Sequence, residues 1–251
     1  MKLFFKKNPL RVFANAFGYE LFNLRRRQHF DLERHIAGLL DLYSINCVID
    51  VGANAGQFGT SLRKQGYGGY IFSFEPIKAT YQKLLEISKN DHKWEVFNYA
   101  LGEEDAVKDM NVQAVSELSS FFEINEFGKT ELGGGHPRLY VEAVPMKRLD
   151  QILPGLMESI DTPRIFLKVD TQGYDINVVK GTSGYIKDIL ILQSEMSVLP
   201  IYDGMPTYTE ALSYYSGLGF AITGLYPIAR DSKTCILIEF DCVMVNKRNL
   251  R

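Results

Sequence analysis

The sequence predicts an α/β protein with a mostly parallel sheet, helices on both faces and an antiparallel hairpin at the C-terminal end. Three observations indicate this fold class. Short, continuous apolar runs alternate with segments of helical length, which is typical of βαβ units whose strands are buried on both faces. A turn rich in small residues follows the first run and leads into a helix. The last two runs are joined by a short connection, which suits antiparallel strands.

The length and composition indicate one large domain. The chain has 251 residues, of which 46% are hydrophobic and 23% charged, as in an ordinary globular protein with a sizeable core. The formal net charge of -2 gives no basic field that would attract nucleic acid, so we expect no nucleic-acid partner. The three cysteines form neither a disulfide framework nor a C-x-x-C metal site, which favours a reducing, cytoplasmic setting.

Residues 1–45 are predicted to form a basic helical arm. Between Met1 and Arg34 there are eight Lys or Arg residues against three acids, and apolar residues recur at helical spacing. One interpretation is a helix that lies on the main domain with its charges in water. The alternative is peripheral contact with an anionic membrane surface, on the inner face of the membrane, or with an acidic acceptor. No apolar run reaches the ~20 residues that a membrane-spanning helix needs.

Seven apolar runs within residues 46–251 are predicted as the strands of the main sheet. They are, in chain order, 47–51, 70–74, 94–99, 165–169, 189–193, 220–225 and 235–245. Helices are predicted at 57–65, 79–88, 174–180 and 208–216. Residues 102–150 interrupt the alternation with extended pieces at 107–112 and 139–144 around a glycine-rich loop. We interpret this part as an insertion of strands and loops near the functional site.

The turn after the first strand is the strongest local signal. It runs from Asp50 through Gly52 and Asn54 to Gly56, and a helix follows. Glycines in such a turn let backbone N–H groups approach a ligand closely at the helix N-terminus. The carboxylate of Asp50 suits a cationic or amine-bearing ligand, whereas a pyrophosphate would gain nothing from it. These four residues are therefore candidate cofactor-binding residues.

The next two strand ends complete a nucleotide-type site. Glu75 and Pro76 follow the second strand, where an acid can accept the two hydroxyl groups of a ribose. Ala100 and Leu101 follow the third strand, where an adenine ring can lie against the backbone. Each signal alone is weak, but their order along the chain predicts a cofactor with a ribose.

The fourth strand brings a candidate base to the same edge of the sheet. Asp170 follows this strand and is expected beside the Asp50 turn, because open α/β sheets bind ligands at the carboxyl ends of their strands. It can accept the proton of an acceptor hydroxyl, or cap the helix that follows. Lys168 lies inside an apolar strand, so it should pair with a carboxylate or reach the edge of the sheet.

Two further residues are candidates for catalysis. Glu195 follows the fifth strand and is expected to face Asp170, which suits either proton transfer or a hard divalent ion such as Mg²⁺. His136, in the glycine-rich loop, is an alternative base. Residues 116–122 are expected to cover the cofactor, and residues 202–206 form either a lid or a simple connection.

Four segments resemble the FkbM family of methyltransferases and occur in the family's order. They are Asp50-Val-Gly-Ala-Asn-Ala-Gly56, Phe74-Glu75-Pro76, Ala100-Leu101-Gly102 and Leu167-Lys168-Val-Asp170-Thr-Gln172-Gly173. The resemblance covers residues 46–247 and implies a Rossmann-like class I methyltransferase fold with S-adenosylmethionine as the cofactor. It also implies O-methylation of a small molecule, often a sugar hydroxyl in a glycolipid, polysaccharide or natural product. Gln172 departs from many relatives, which have an acid there, and this weakens an acid/base role for that position.

Two other function classes stay open at this point. One is an NAD-dependent oxidoreductase or epimerase, because the turn approximates a dinucleotide fingerprint. Asn54 breaks that glycine pattern, however, and no Tyr-x-x-x-Lys pair stands where a reductase would need it. The other is a non-catalytic protein that keeps only the cofactor-binding fold. The presence of Asp50, Glu75 and Asp170 argues against such decay.

Overall fold

The computed structural model describes residues 31–131 and 137–249, together with residue 13 and residues 16–18. The candidate base His136 and most of the predicted arm before residue 31 lie outside the described residues. None of the helices in the described ranges has the length and apolar character that crossing a bilayer requires.

A seven-stranded sheet forms the centre of the fold, in the order β3-β2-β1-β7-β8-β10-β9. Neighbouring strands among β3, β2, β1, β7 and β8 are parallel, and β10 runs antiparallel to both β8 and β9. This sheet confirms the predicted mostly parallel architecture with an antiparallel C-terminal hairpin. The ten strands of the fold are β1 Cys47–Val51, β2 Tyr70–Phe74, β3 Trp94–Phe97, β4 Ala100–Leu101, β5 Ala106–Gln113, β6 Arg138–Lys147, β7 Ile165–Val169, β8 Ile189–Ser197, β9 Phe220–Arg230 and β10 Leu237–Asn246.

Helices cover both faces of the sheet, as predicted. One apolar cluster joins the sheet to α5, α6 and α7, and a second joins its other face to α1, α2 and α3. The four predicted helices are confirmed to within one residue at each end. The α-helices of the described residues are α1 Leu32–Leu42, α2 Gln57–Lys64, α3 Lys78–Ser88, α4 Glu126–Glu131, α5 Leu149–Met157, α6 Asp175–Lys180 and α7 Tyr208–Gly217.

Helix α1 lies within the predicted N-terminal arm but packs on the main sheet. Ile36, Leu39 and Leu40 are buried in the same cluster as residues of β1 and β10. Asp31 caps the helix by accepting a hydrogen bond from the backbone N–H of Arg34 at 3.3 Å. The last part of the predicted arm thus belongs to the packed core. Removing it would expose this apolar face.

A second, three-stranded sheet forms from the predicted insertion, in the order β4-β6-β5. Strands β5 and β6 contain the predicted pieces 107–112 and 139–144 and extend them at both ends. Their apolar side chains pack on Ile77 and Tyr174, next to the carboxyl ends of the main strands. The predicted strand 94–99 was too long, since β3 ends at Phe97 and residues 100–101 pair with β6 instead.

Candidate active site

A cavity of about 310 Å³ opens at the carboxyl ends of β1, β2, β7 and β8. Eight of the predicted site residues line it. They are Gly52, Asn54, Glu75, Pro76, Ala100, Leu101, Asp170 and Glu195. Asp50 and Gly56 are not part of the cavity wall. The cavity thus brings together six of the eight predicted cofactor-binding residues and two predicted catalytic carboxylates.

The glycines of the turn after β1 have different structural tasks. Gly52 has φ +75°, and a Cβ there would lie 1.9 Å from the backbone oxygen of Asp170, so only glycine lets β1 and β7 continue side by side into the cavity. Gly56 has φ +85°, and a Cβ there would lie 2.9 Å from Leu84 of α3. Gly56 therefore shapes the start of α2 from behind the wall and does not line the cavity.

Glu75 is held at the cavity by the backbone. Its side chain is buried, and its two oxygens accept hydrogen bonds from the N–H groups of Asn54 at 3.0 Å and Ile77 at 2.9 Å. A carboxylate offers about four acceptor sites, so both oxygens keep capacity for ligand hydroxyls. Burial outweighs the two N–H donors and raises the pKa of Glu75 to about 7.

Asp50 lies beneath the cavity in a buried ion pair. It is 0% exposed and accepts hydrogen bonds from Lys168 Nζ at 3.1 Å and from the Ser73 hydroxyl at 3.2 Å. Burial favours the neutral amine, but the charges of Asp50 and Asp170 outweigh it and raise the pKa of Lys168. The expectation that Lys168 pairs with a carboxylate is confirmed. The charge of Asp50 is thus balanced by that of Lys168 inside the protein.

The carboxylates of Asp170 and Glu195 both contact the side-chain amide of Gln172. The Nε2 atom of Gln172 lies 2.7 Å from Glu195 Oε2 and 3.4 Å from Asp170 Oδ1. Lys168 Nζ lies 3.4 Å from the other oxygen of Asp170, whose side chain is 40% exposed. The idea that Asp170 caps the following helix is wrong, because α6 begins only at Asp175 and has Tyr174 at its N-cap.

The amide of Gln172 occupies the space that a metal ion would need between the two carboxylates. Within residues 31–131 and 137–249, no three His, Cys, Asp or Glu side chains converge to hold a metal ion. The Gln172 side chain fills this position in either orientation of its amide, so one small cation could not contact both carboxylates without displacing it. This arrangement favours proton handling over metal binding.

Residues 116–121 form part of the cavity wall. The sequence predicted only that residues 116–122 cover the cofactor. Ser116 accepts a hydrogen bond from Asn54 Nδ2 at 3.1 Å, and Ser120 donates to the backbone oxygen of Gln172 at 2.7 Å. Ser116, Ser119 and Phe121 line the cavity. This segment therefore connects the turn after β1 with the loop after β7.

The C-terminal hairpin contributes two residues that sequence reasoning missed. Ile228 of β9 and Asp241 of β10 line the cavity, and Asp241 stands opposite Glu195 in the antiparallel register. Burial raises the pKa of Asp241 to about 6. One signal was available: Glu239 and Asp241 are ionisable residues within an apolar run, the same feature that singled out Lys168.

Comparisons with known proteins give one sequence match and remote structural ones. A family model described as "Methyltransferase FkbM domain" matches residues 50–222. No curated protein sequence matches the chain.

Three solved structures show a similar course of the chain. Magnesium protoporphyrin IX methyltransferase (ChlM) from Synechocystis PCC 6803 shares 8% identity over 97% of this chain and 94% of its own, with a TM-score of 0.46. Sp1610 of Streptococcus pneumoniae, described as a tRNA (m1A22) methyltransferase, shares 10% identity over 83% and 72%, with a TM-score of 0.45. Fibrillarin from Aeropyrum pernix shares 10% identity over 80% and 66%, with a TM-score of 0.44. All three structures contain S-adenosyl-L-methionine, but likenesses this remote say nothing about what the present chain acts on.

Proposed function

Because the chain belongs to the FkbM methyltransferase family, we propose that it is an S-adenosylmethionine-dependent O-methyltransferase. The acceptor we propose is a hydroxyl group of a sugar in a glycolipid, polysaccharide or natural product. One observation carries the proposal: Glu75 and Asp170 face the same cavity of about 310 Å³. A cofactor whose ribose binds Glu75 would place its methyl group within the cavity that also contains a carboxylate able to take a proton.

The proposed reaction asks little covalent chemistry of the protein. The acceptor oxygen attacks the methyl carbon of the sulfonium, the new C–O bond forms as the C–S bond breaks, and the hydroxyl proton passes to Asp170. The enzyme therefore has to align the two partners and manage one proton. Gly52 and Asn54 would hold the cofactor through the backbone, and Ser119 and Phe121 also line the cavity.

Calorimetry with S-adenosylhomocysteine and NAD in parallel tests the cofactor and separates the alternative functions. We expect S-adenosylhomocysteine to bind and NAD not to bind. The acceptor is then sought by incubating the protein and S-adenosylmethionine with glycans and glycolipids and recording the mass gain of one CH₂ unit. Binding of NAD alone would contradict the proposal, and cofactor binding without methylation of any acceptor would favour a non-catalytic role.

Replacing Glu75 by Ala should weaken S-adenosylhomocysteine binding about ten- to a hundredfold. A hydrogen-bonded charged acceptor contributes about 1.5–3 kcal/mol, which corresponds to this loss. Calorimetry measures the affinity, and circular dichroism checks that the fold survives. The matched control is Glu86→Ala, since Glu86 is 70% exposed on α3 and should leave the affinity unchanged. Equal affinities of the Glu75 variant and wild type would remove the ribose assignment.

The same residue predicts how cofactor affinity depends on pH. The pKa of Glu75 is raised to about 7, so the carboxyl group becomes protonated as the pH falls below neutrality. Since ribose hydroxyls donate to the ionised form, we expect the dissociation constant to rise up to about tenfold per pH unit below that point. Glu75→Gln cannot titrate and should lack this part of the pH dependence. The dissociation constant is measured against pH for wild type and Glu75→Gln. The same pH dependence in both proteins would refute the prediction.

A further inference from the structure

The hydroxyl group of Tyr202 lies against two oxygen atoms at once. Its oxygen is 2.9 Å from the backbone oxygen of Leu118 and 2.9 Å from Oε1 of Gln172. Tyr202 is 1% exposed, and its pKa is raised by burial, so the phenol keeps its single proton. One proton can serve only one of the two acceptors. With the Gln172 amide in this orientation, one of these two contacts therefore joins two oxygens with no proton between them.

A flip of the Gln172 side-chain amide, that is, a rotation by ~180° about χ3 (the half-turn), removes this conflict. The nitrogen and oxygen of an amide are interchangeable in shape, so their assignment follows from the hydrogen bonds around them. After the half-turn, the amide nitrogen donates to Tyr202, and Tyr202 donates to Leu118. Gln172 then no longer donates to Asp170, at 3.4 Å, or to Glu195, at 2.7 Å, and Asp170 retains Lys168 as a neighbour. The two hydrogen bonds that run from Gln172 through Tyr202 to Leu118 then each contain one proton.

The half-turn places the amide oxygen of Gln172 next to Glu195 Oε2, at the present separation of 2.7 Å. Two oxygens at this distance need a proton between them, and 2.7 Å is the usual length of an O–H···O hydrogen bond. An amide oxygen has no proton to give. The proton must therefore come from Glu195, as a carboxylic acid.

The charges around Glu195 point in the same direction. Asp170 faces it from the end of β7, Asp175 from α6, and Glu239 and Asp241 from β10. Burial and these four acids raise the pKa of Glu195 well above its ordinary value. The nearby ammonium group of Lys168 is paired with Asp50 and Asp170.

We infer that Glu195 is an uncharged carboxylic acid that donates its proton to Gln172, which leaves Asp170 as the anionic base of the site. Two neighbouring carboxyl groups with different surroundings thereby take different roles, as in other acid/base pairs. Glu195 acts as a positioning residue: in its uncharged form it places no like charge next to Asp170. The role of Asp170 rests on the proposed function, whereas the protonation of Glu195 can be tested without it.

Infrared spectroscopy of the full chain at neutral pH tests the inference directly. The wild-type spectrum should contain the carbonyl stretch of protonated carboxyl groups, and Glu195→Gln should lose the intensity of one such group, while the contribution of Glu75 remains in both spectra. The control variant is Glu126→Gln, whose parent side chain is 91% exposed, and it should leave the band unchanged. An identical band in wild type and Glu195→Gln, or no such band in either, would overturn the inference.

The pH dependence of stability provides a second measurement. Between about pH 5 and pH 7 the unfolded chain carries an ionised Glu195, whereas the folded chain would bind one more proton there. As the pH rises over this range, the folding equilibrium constant of wild type should fall roughly tenfold per pH unit relative to that of Glu195→Gln. Urea unfolding measures both constants. A difference that stays constant over this range would show an ionised Glu195. Calorimetry with S-adenosylhomocysteine reports the proposed function separately, so the two can fail independently.

Discussion

Asp170→Asn is expected to lower the rate of methyl transfer about 10²–10⁴-fold, which is the usual contribution of a general base. The amide keeps the size of the carboxylate but cannot accept the acceptor's proton. Fold and cofactor affinity should survive, because the backbone N–H of Asp170 still donates to Val51 at 3.0 Å and the side chain is 40% exposed. Product formation is followed by mass spectrometry, and S-adenosylhomocysteine affinity by calorimetry.

Two controls make this experiment specific. Asp161→Asn changes an exposed acid and should leave the rate unaltered. Chelator treatment addresses the metal alternative: activity that is lost with a chelator and restored by magnesium would make Asp170 and Glu195 metal ligands. A wild-type rate in Asp170→Asn would assign the base elsewhere, and His136 would be the next residue to replace.

Lys168→Met should destabilise the protein by about 3–5 kcal/mol, the usual cost of removing one partner of a buried ion pair. Asp50 is 0% exposed, and without Lys168 the hydroxyl of Ser73 would be the one side-chain donor left to it among the described residues. Urea unfolding measures the loss. Lys89→Met is the matched control, because this ammonium is 51% exposed on the surface and should change stability by less than about 1 kcal/mol.

The double variant Lys168→Met with Asp50→Asn separates the ion pair from general packing effects. Removing both charges leaves no uncompensated ion, so the double variant should be more stable than Lys168→Met alone. If the loss of unfolding free energy in the double variant equals the sum of the losses in the two single variants, the ion pair between Lys168 and Asp50 does not contribute to stability. Asp170 also neighbours Lys168, so the same series measured with S-adenosylhomocysteine shows whether the pair supports the cavity as well as the fold.

The central strands could be read from the sequence because their apolar runs are continuous and end at turns. The predicted bounds of β1, β2 and β7 agree with the structure for this reason. Helix α5 was not predicted, because Pro154 and Gly155 lie inside it and normally indicate a break. Burial of Leu149 and Leu153 in the core stabilises the helix in spite of them, which is a tertiary effect that local pattern does not contain.

The same distinction applies to the site. Glu75 and Asp170 could be found because each follows a parallel strand, and the carboxyl ends of parallel strands share one edge. Asp241 reaches this edge from the opposite direction, within the antiparallel β10, and its register against Glu195 depends on pairing between distant segments. The buried partner of Asp50 likewise comes from a strand that lies 118 residues further along the chain.

The segment 116–120 has a consequence for the order of events in a catalytic cycle. It is hydrogen-bonded at one end to Asn54, in the turn proposed to hold the methyl donor, and at the other to Gln172, beside the proposed base. A donor molecule that stabilises the first contact would stabilise the second through the same segment, so binding at the turn would affect the loop beside the proposed base. Thermodynamic linkage would make such a coupling reciprocal, so the acceptor would tighten donor binding by the same factor.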